Sequence, residues 1–191
     1  AHRSLHACVL NSLALSLAGI TRETEEPPGG VIVRDPTTGE PNGLLFEMLG
    51  YIREEIMPSL SEEELREGIA LANRHYLSQG ITSLQDATLV NDFSRWETFG
   101  QFKDRRELKS RVSMMVGAKA RGQFQERGLA SGSGDNQLRL GGVKIIPSET
   151  TGQLYPPQSE LNQQVFGAHR TGFQLAIHAI EQRTVEAAII A

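Results

Sequence analysis

Four β-type segments begin near residues 81, 112, 142 and 173, and this regular interval constrains the fold more than any other feature of the chain. The interval is about 30 residues, the length of a strand, a crossover helix and their turns, so the segments read as consecutive right-handed βαβ units on a parallel sheet. No sequence repeat accompanies the period, which excludes a solenoid. Helices are expected between the strands, over Phe93 to Leu108, around 120–129 and over Leu161 to Arg170, with a last one at the end of the chain. A further helix leads into the first strand. Ser61-Glu62-Glu63-Glu64 fits a capping box, in which hydroxyl and carboxylate satisfy free amides of the first turn, and Gly80 ends that helix. Two architectures fit the period: an open doubly wound sheet, or part of a (β/α)8 barrel. A full barrel takes about 250 residues and this chain has 191, so only part of one is accommodated.

The first 60 residues follow no such period. An amphipathic helix is expected over about 4–18, ended by Gly19, and a second over Leu44 to Ile56, ahead of Pro58. Between them, Pro27-Pro28-Gly29-Gly30 and Asp35-Pro36-Thr37-Thr38-Gly39 bracket a short strand, Val31-Ile32-Val33. The division expected is therefore an insertion-like helical or irregular segment, 1–60, followed by βα units over 61–191.

Composition removes several function classes. Nineteen Lys and Arg against 23 Asp and Glu give a net charge of -4, the wrong sign for a protein that lives on a nucleic-acid backbone or an anionic membrane. The apolar run from Ala7 to Ile20 is shorter than the roughly 20 residues a membrane span needs. One cysteine, Cys8, allows no intrachain disulfide. The expectation is a soluble, cytoplasmic domain with neither nucleic-acid nor membrane partners. The chain opens without methionine and closes on the uncapped apolar stretch from Val185 to Ala191, so it reads as cut from something longer.

Self-contained chemical motifs are missing. There is no His-x-His, His-Glu-x-x-His or Cys-x-x-Cys. Gly132-Ser133-Gly134 precedes a strand instead of following one, which argues against a dinucleotide fingerprint. The basic cluster from Lys103 to Arg111 is interleaved with Asp104 and Glu107, as on a solvated helix face. Two residues stand out. Lys144 interrupts the apolar run Gly141-Gly142-Val143-Lys144-Ile145-Ile146, which reads as a buried parallel strand, where an ammonium must pair, lose its proton or be chemically changed. His178 ends the strand Phe173 to Ile177, at the C-terminal edge where barrel and open-sheet sites are built. Alternation sets Gln174, Ala176 and His178 on one face and Phe173, Leu175 and Ile177 on the other. On the residues alone, Lys144 meeting a carboxylate such as Glu149, and His178 as a hydrogen-bonded core histidine, is the somewhat favoured reading.

Four stretches taken together carry a family resemblance. They are His6-Ala7-Cys8-Val9-Leu10-Asn11-Ser12, Gly80-Ile81-Thr82-Ser83-Leu84-Gln85-Asp86-Ala87, Gly142-Val143-Lys144-Ile145 and Gly172-Phe173-Gln174-Leu175-Ala176-Ile177-His178-Ala179-Ile180. In order and spacing the chain resembles the middle of the amidohydrolase superfamily, and within it the N-substituted formamide deformylase-like branch. The resemblance implies a distorted (β/α)8 barrel with one or two divalent metals, usually zinc, at the C-terminal strand ends. It implies that Lys144 is the fourth-strand lysine, often carboxylated to a metal-bridging carbamate, that His178 is the fifth-strand ligand, and that His6 faces the substrate pocket. Carboxylation would turn the stranded ammonium into an anion neutralised by the metals. The first-strand His-x-His, the sixth-strand histidine and the eighth-strand aspartate, which is the expected general base, lie outside this chain, so no catalytic residue is assigned within it.

The sequence also departs from the family pattern. Glu181-Gln182 replaces the usual Gly-Asp, Pro147-Ser148-Glu149-Thr150-Thr151-Gly152 replaces an Asp-Gly-Ser segment, Leu5 replaces a glycine and Gln85 a histidine. The reading that results is strands two to five of a TIM-type barrel plus a preceding insertion, taken from a metal-dependent hydrolase of C–N bonds in amides, formamides or cyclic amides. Two ligands make an incomplete site, so this piece by itself is expected to be inactive. Its uncovered sheet edges are expected to drive self-association. A non-catalytic binding or regulatory protein on the same scaffold is the competing class.

Overall fold

The computed structural model describes residues 1–3, 6–149 and 151–191, without the side chains of Glu54 and Glu55. Leu5 and Thr150, two of the departures noted above, lie outside the described residues. The chain forms two compact units, one of Ala1–Ser59 with Ser148–Pro157 and one of Leu60–Pro147 with Gln158–Ala191.

The first unit is built on an antiparallel sheet of three strands, β1 (Ala7–Val9), β2 (Val31–Arg34) and β3 (Pro41–Phe46), with β3 in the middle. Leu45 is fully buried and pairs with Cys8 on one side and Ile32 on the other. That row, with Ile20, Met48 and Ile52, is the core of the unit. Gly43 sits at φ 94°, where the Leu10 carbonyl comes so close that a Cβ would lie 2.3 Å from it. The two helices expected here are corrected. Residues 7–9 form an edge strand, and helix α1 (Ser12–Leu17) begins only after Asn11, whose side chain accepts from the Ala14 amide. Residues 44–46 belong to β3, and only Leu49–Tyr51 (α2) and a π-turn over Ile52–Ile56 are helical. In both cases pairing with a distant strand outweighs local helix periodicity.

The second unit matches the βα period. Helix α3 (Glu62–Ser78) starts with the expected capping box between Ser61 and Glu64. Strands β4 (Ser83–Asp86), β5 (Arg111–Gly117), β6 (Leu138–Ile145) and β7 (Leu175–Ile177) then form a curled parallel sheet in the order of the chain. A doubly wound open sheet reverses its strand order at a switch point, and this sheet has no such reversal. Helices α4 (Phe93–Asp104) and α6 (Gln158–Arg170) lie against β6 and β7, α5 (Arg121–Gln125) follows β5, and α7 (Gln182–Ile190) follows β7. One sheet face is apolar, with Val112, Met114, Val116, Leu138, Leu140, Val143 and Ile145 all buried. Among the described residues no helix is long and apolar enough to cross a membrane.

Candidate metal centre

The opposite face of the parallel sheet is polar, and the register shows how Lys144 comes to lie on it. Met114 pairs with Leu140, but Val116 pairs with Val143, so β6 carries one more residue than β5 across this step. The extra residue falls at Gly141-Gly142 and makes a β-bulge. The bulge shifts the buried positions from Leu138 and Leu140 to Val143 and Ile145 and leaves Lys144 on the other face. Glycine suits the step, because a Cβ on Gly142 would come within 2.8 Å of the Gln174 carbonyl oxygen. Lys144 is therefore half-buried, which corrects the deep burial read from the apolar run. Two glycines on the polar face made a one-sided strand look apolar on both sides.

Lys144 lies in a cross-strand row with Gly117 of β5 and Ala176 of β7. Its neighbours in the row thus contribute nothing larger than a methyl group. Gly117 is fixed there by the chain ahead of α4: a Cβ would lie 2.3 Å from the Leu89 carbonyl oxygen, and its amide donates to the Asn91 carbonyl at 2.8 Å. Buried Asn91 in turn donates its side-chain amide to the Met115 carbonyl at 3.0 Å. The ladder continues past β7, since the His178 amide donates to the Ile145 carbonyl at 2.9 Å. Alternation from Ala176 then puts His178 on the face that carries Lys144. The structure thus places the two residues on one face, at the C-terminal ends of neighbouring parallel strands.

A neutral imidazole offers a lone pair to a divalent cation, and a lysine offers a donor once it is neutral or carboxylated. Both side chains are thus of types that can enter a metal shell. Among the described residues there is no cluster of three or more His, Cys, Asp or Glu that could hold an ion. Gln85 is exposed on β4, and Asp86 caps the following turn, its Oδ1 accepting from the Thr88 amide at 3.0 Å and the Thr88 hydroxyl at 2.6 Å. A cavity of about 570 Å³ is lined by α3 residues such as Arg66 and Asn73 together with Arg106, Glu107 and Lys109, none of them from the polar sheet face.

His6 belongs to the first unit. Its Nδ1 lies 2.7 Å from Glu47 Oε1, and the Ser148 hydroxyl donates to the same oxygen at 3.1 Å. Sequence reasoning missed both partners. Glu47 was hidden inside the expected helix over Leu44 to Ile56, and Ser148 was noted only as part of a divergent segment.

The whole chain, residues 1–191, matches the model of the Amidohydrolase family. It is 27% identical over 203 residues to "Protein LONG AFTER FAR-RED 3" of Arabidopsis thaliana, covering 92% of this chain and 34% of that protein. It is 37% identical over 91 residues to "Putative amidohydrolase YtcJ" of Bacillus subtilis (strain 168), covering 47% of this chain and 17% of that one. The chain thus spans about a third of the first relative and less of the second. Among solved structures it resembles an uncharacterized metal-dependent hydrolase from Pyrococcus furiosus, with a TM-score of 0.67 and 20% identity over 99% of this chain and 42% of that one. A counterpart from Pyrococcus horikoshii OT3 gives the same TM-score and identity over 98% and 40%. At that identity the likeness speaks for the fold, a parallel half-barrel, and the family match speaks for descent. The chain belongs to the amidohydrolase family.

Proposed function

We propose that this chain supplies strands two to five, and half of the metal shell, of a metal-dependent hydrolase acting on non-peptide C–N bonds. Lys144 and His178 would hold a divalent metal, zinc in the first instance, and His6 would face the substrate. The observation that supports this most is the row Gly117, Lys144, Ala176 with His178 on the same face at the strand ends. That is where a (β/α)8 barrel assembles its chemistry.

When bound, a divalent cation supplies Lewis acidity, polarising a carbonyl and lowering the pKa of water towards neutrality. The residues of the chain prepare for it. His178 contributes a ring-nitrogen lone pair while its backbone amide is held by Ile145. Lys144, in its neutral form, attacks carbon dioxide through Nζ: a C–N bond forms, one C=O π pair moves to oxygen and a proton leaves to solvent. The product is a carbamate with two oxygen donors. The substrates that fit this chemistry are amides, formamides and cyclic amides, and the formamide deformylase-like branch is the proposed relationship. Two ligands fall short of the three or four protein donors that zinc sites take, so the chain alone turns nothing over.

The test is zinc titration by calorimetry on the wild-type chain, Lys144→Met and His178→Ala, together with a carbon-13 spectrum in labelled bicarbonate. Each substitution should weaken zinc binding by at least about 10-fold. The wild type, and not Lys144→Met, should show a carbamate resonance. Unchanged zinc binding in both variants would remove the metal reading and leave a non-catalytic role on this scaffold. Turnover of formanilide by the zinc-loaded chain would overturn the inactivity of the piece.

A further inference from the structure

The cavity of about 570 Å³ beside α3 has no part in the metal reading, and its size is that of a small-molecule site. One wall is a face of α3, on which Arg66, Ile69, Asn73 and Leu77 recur at helical steps of three and four, with Arg74 beside them. The other wall is the turn after α4, and side chains of α3 fasten it in place. Asn73 donates its side-chain amide to the Glu107 carbonyl at 2.7 Å and accepts from the Lys109 amide at 3.2 Å. Arg66 donates to Glu107 Oε1 through Nε and Nη2, at 3.2 and 3.0 Å. Within the turn, the Arg106 amide donates to the Lys103 carbonyl and the Glu107 amide to the Phe102 carbonyl, both at 2.8 Å, which closes α4 in a Schellman motif. Arg106 holds its left-handed position, φ 60°, where glycine is the usual residue. A long cationic side chain kept at a backbone angle that disfavours it points to a use for that side chain.

The charges around the cavity do not cancel. Arg66 is taken by Glu107 and, at 3.5 Å, by Glu63. Glu67 is the remaining carboxylate of the lining, against Arg74, Arg106 and Lys109. Lys109 uses one donor on the Arg106 carbonyl at 2.7 Å and keeps two. The guanidinium groups of Arg74 and Arg106 have neither ion pair nor hydrogen bond among the described residues. The basic cluster that the sequence presents as one solvated helix face is thus divided: Lys103 meets Asp135 and Arg105 meets Glu62, while Arg106 and Lys109 line the cavity. We propose that this cavity binds a small organic carboxylate with an apolar body, its carboxylate on Arg74, Arg106 and Lys109 and its apolar part along Ile69 and Leu77. Guanidinium groups match a planar carboxylate through paired N–H donors, and the aliphatic side chains of α3 favour a ligand that covers them.

Calorimetric titration of the chain with 4-phenylbutanoate tests this, with 4-phenylbutanamide, 4-phenylbutylamine and inorganic phosphate as comparisons. The carboxylate should bind with a Kd below about 1 mM, and each comparison at least about 10-fold more weakly. Arg106→Gly removes the guanidinium and gives the left-handed position the residue that suits it. That variant should keep or raise the urea midpoint while losing at least about 10-fold in affinity for the carboxylate. Arg74→Gln and Leu77→Gln, both at exposed positions, should also weaken binding. Absence of binding by 4-phenylbutanoate overturns the proposal. So does equal binding of the amide or the amine, which would make the contact apolar only, or of phosphate, which would make it a charge effect only. Unchanged affinity in Arg106→Gly with an intact urea transition also overturns it, by placing the ligand elsewhere.

Discussion

At the scale of single residues, the polar sheet face separates positions that hold the fold from positions that carry chemistry. Gly117 is of the first kind. The atoms a new Cβ would meet are backbone, the Leu89 oxygen at 2.3 Å and the Asn91 oxygen at 3.1 Å, so no side chain can swing aside to make room. Gly117→Ala should therefore cost about 1–3 kcal/mol in urea denaturation, the range of overpacked sites. Lys144, next to it in the row, is of the second kind. It is half-buried, and among the described residues its side chain has no ion pair whose loss would leave a charge stranded. Lys144→Met should change stability by less than about 1 kcal/mol while abolishing the carbamate signal. A loss of 3 kcal/mol or more, roughly the cost of breaking a buried ion pair, would mean that the lysine is a structural partner instead.

At the scale of elements, the turn that starts β6 shows how a strand is fastened at its beginning. Asp135 Oδ1 accepts from the amides of Gln137 and Leu138, at 2.8 and 3.0 Å, and Oδ2 meets Lys103 of α4 at 3.0 Å. The Leu138 amide, then Lys103, then the Gln137 amide hold this carboxyl down at about 2, against an ordinary 3.8. With the folded value depressed, its stabilising contribution is complete above the ordinary value and is lost as the pH falls towards 2. A carboxyl carbon-13 titration should give a midpoint near 2, moving upward in Lys103→Ala; a midpoint in the ordinary aspartate range would show the turn to be open. Elements of this kind were legible in the sequence because their signals are local. Ser61 and Glu64 announce a helix start within four residues, and the four parallel strands follow turns and helices at a fixed interval. The first unit was illegible for the opposite reason. Ala7–Val9 is a strand only because Leu44–Phe46 pairs with it some 40 positions along the chain, and nothing in either triplet names the other. The candidate site was legible as residues and not as geometry. Lys144 and His178 stood out by type and position, but the bulge that turns Lys144 to the polar face depends on a register between strands.

At the scale of the molecule, the parallel sheet carries an association problem in its two outer strands. Among the described residues, β4 and β7 each have a strand neighbour on one side only. The helices next to them in the chain expose large apolar side chains: Leu71 and Leu77 on α3 ahead of β4, Ile189 and Ile190 on α7 after β7, the last two at 80% and 67% exposure. An unpaired edge offers a second chain a backbone ladder, and an apolar helix surface offers it area to bury; each fully buried leucine or isoleucine is worth about 1.5–3 kcal/mol. The net charge of -4 is modest for a chain of 191 residues and opposes association only weakly. We therefore expect the chain to self-associate at tens of micromolar, with a mass by light scattering that rises with concentration. Ile189→Lys combined with Leu71→Lys should return it towards the monomer, since both positions already face water and the charges cost the fold little. A monodisperse monomer across that concentration range would show that neither the edges nor the apolar helix faces recruit a second copy. An oligomer indifferent to both substitutions would move the interface off these helices and onto the strand edges alone.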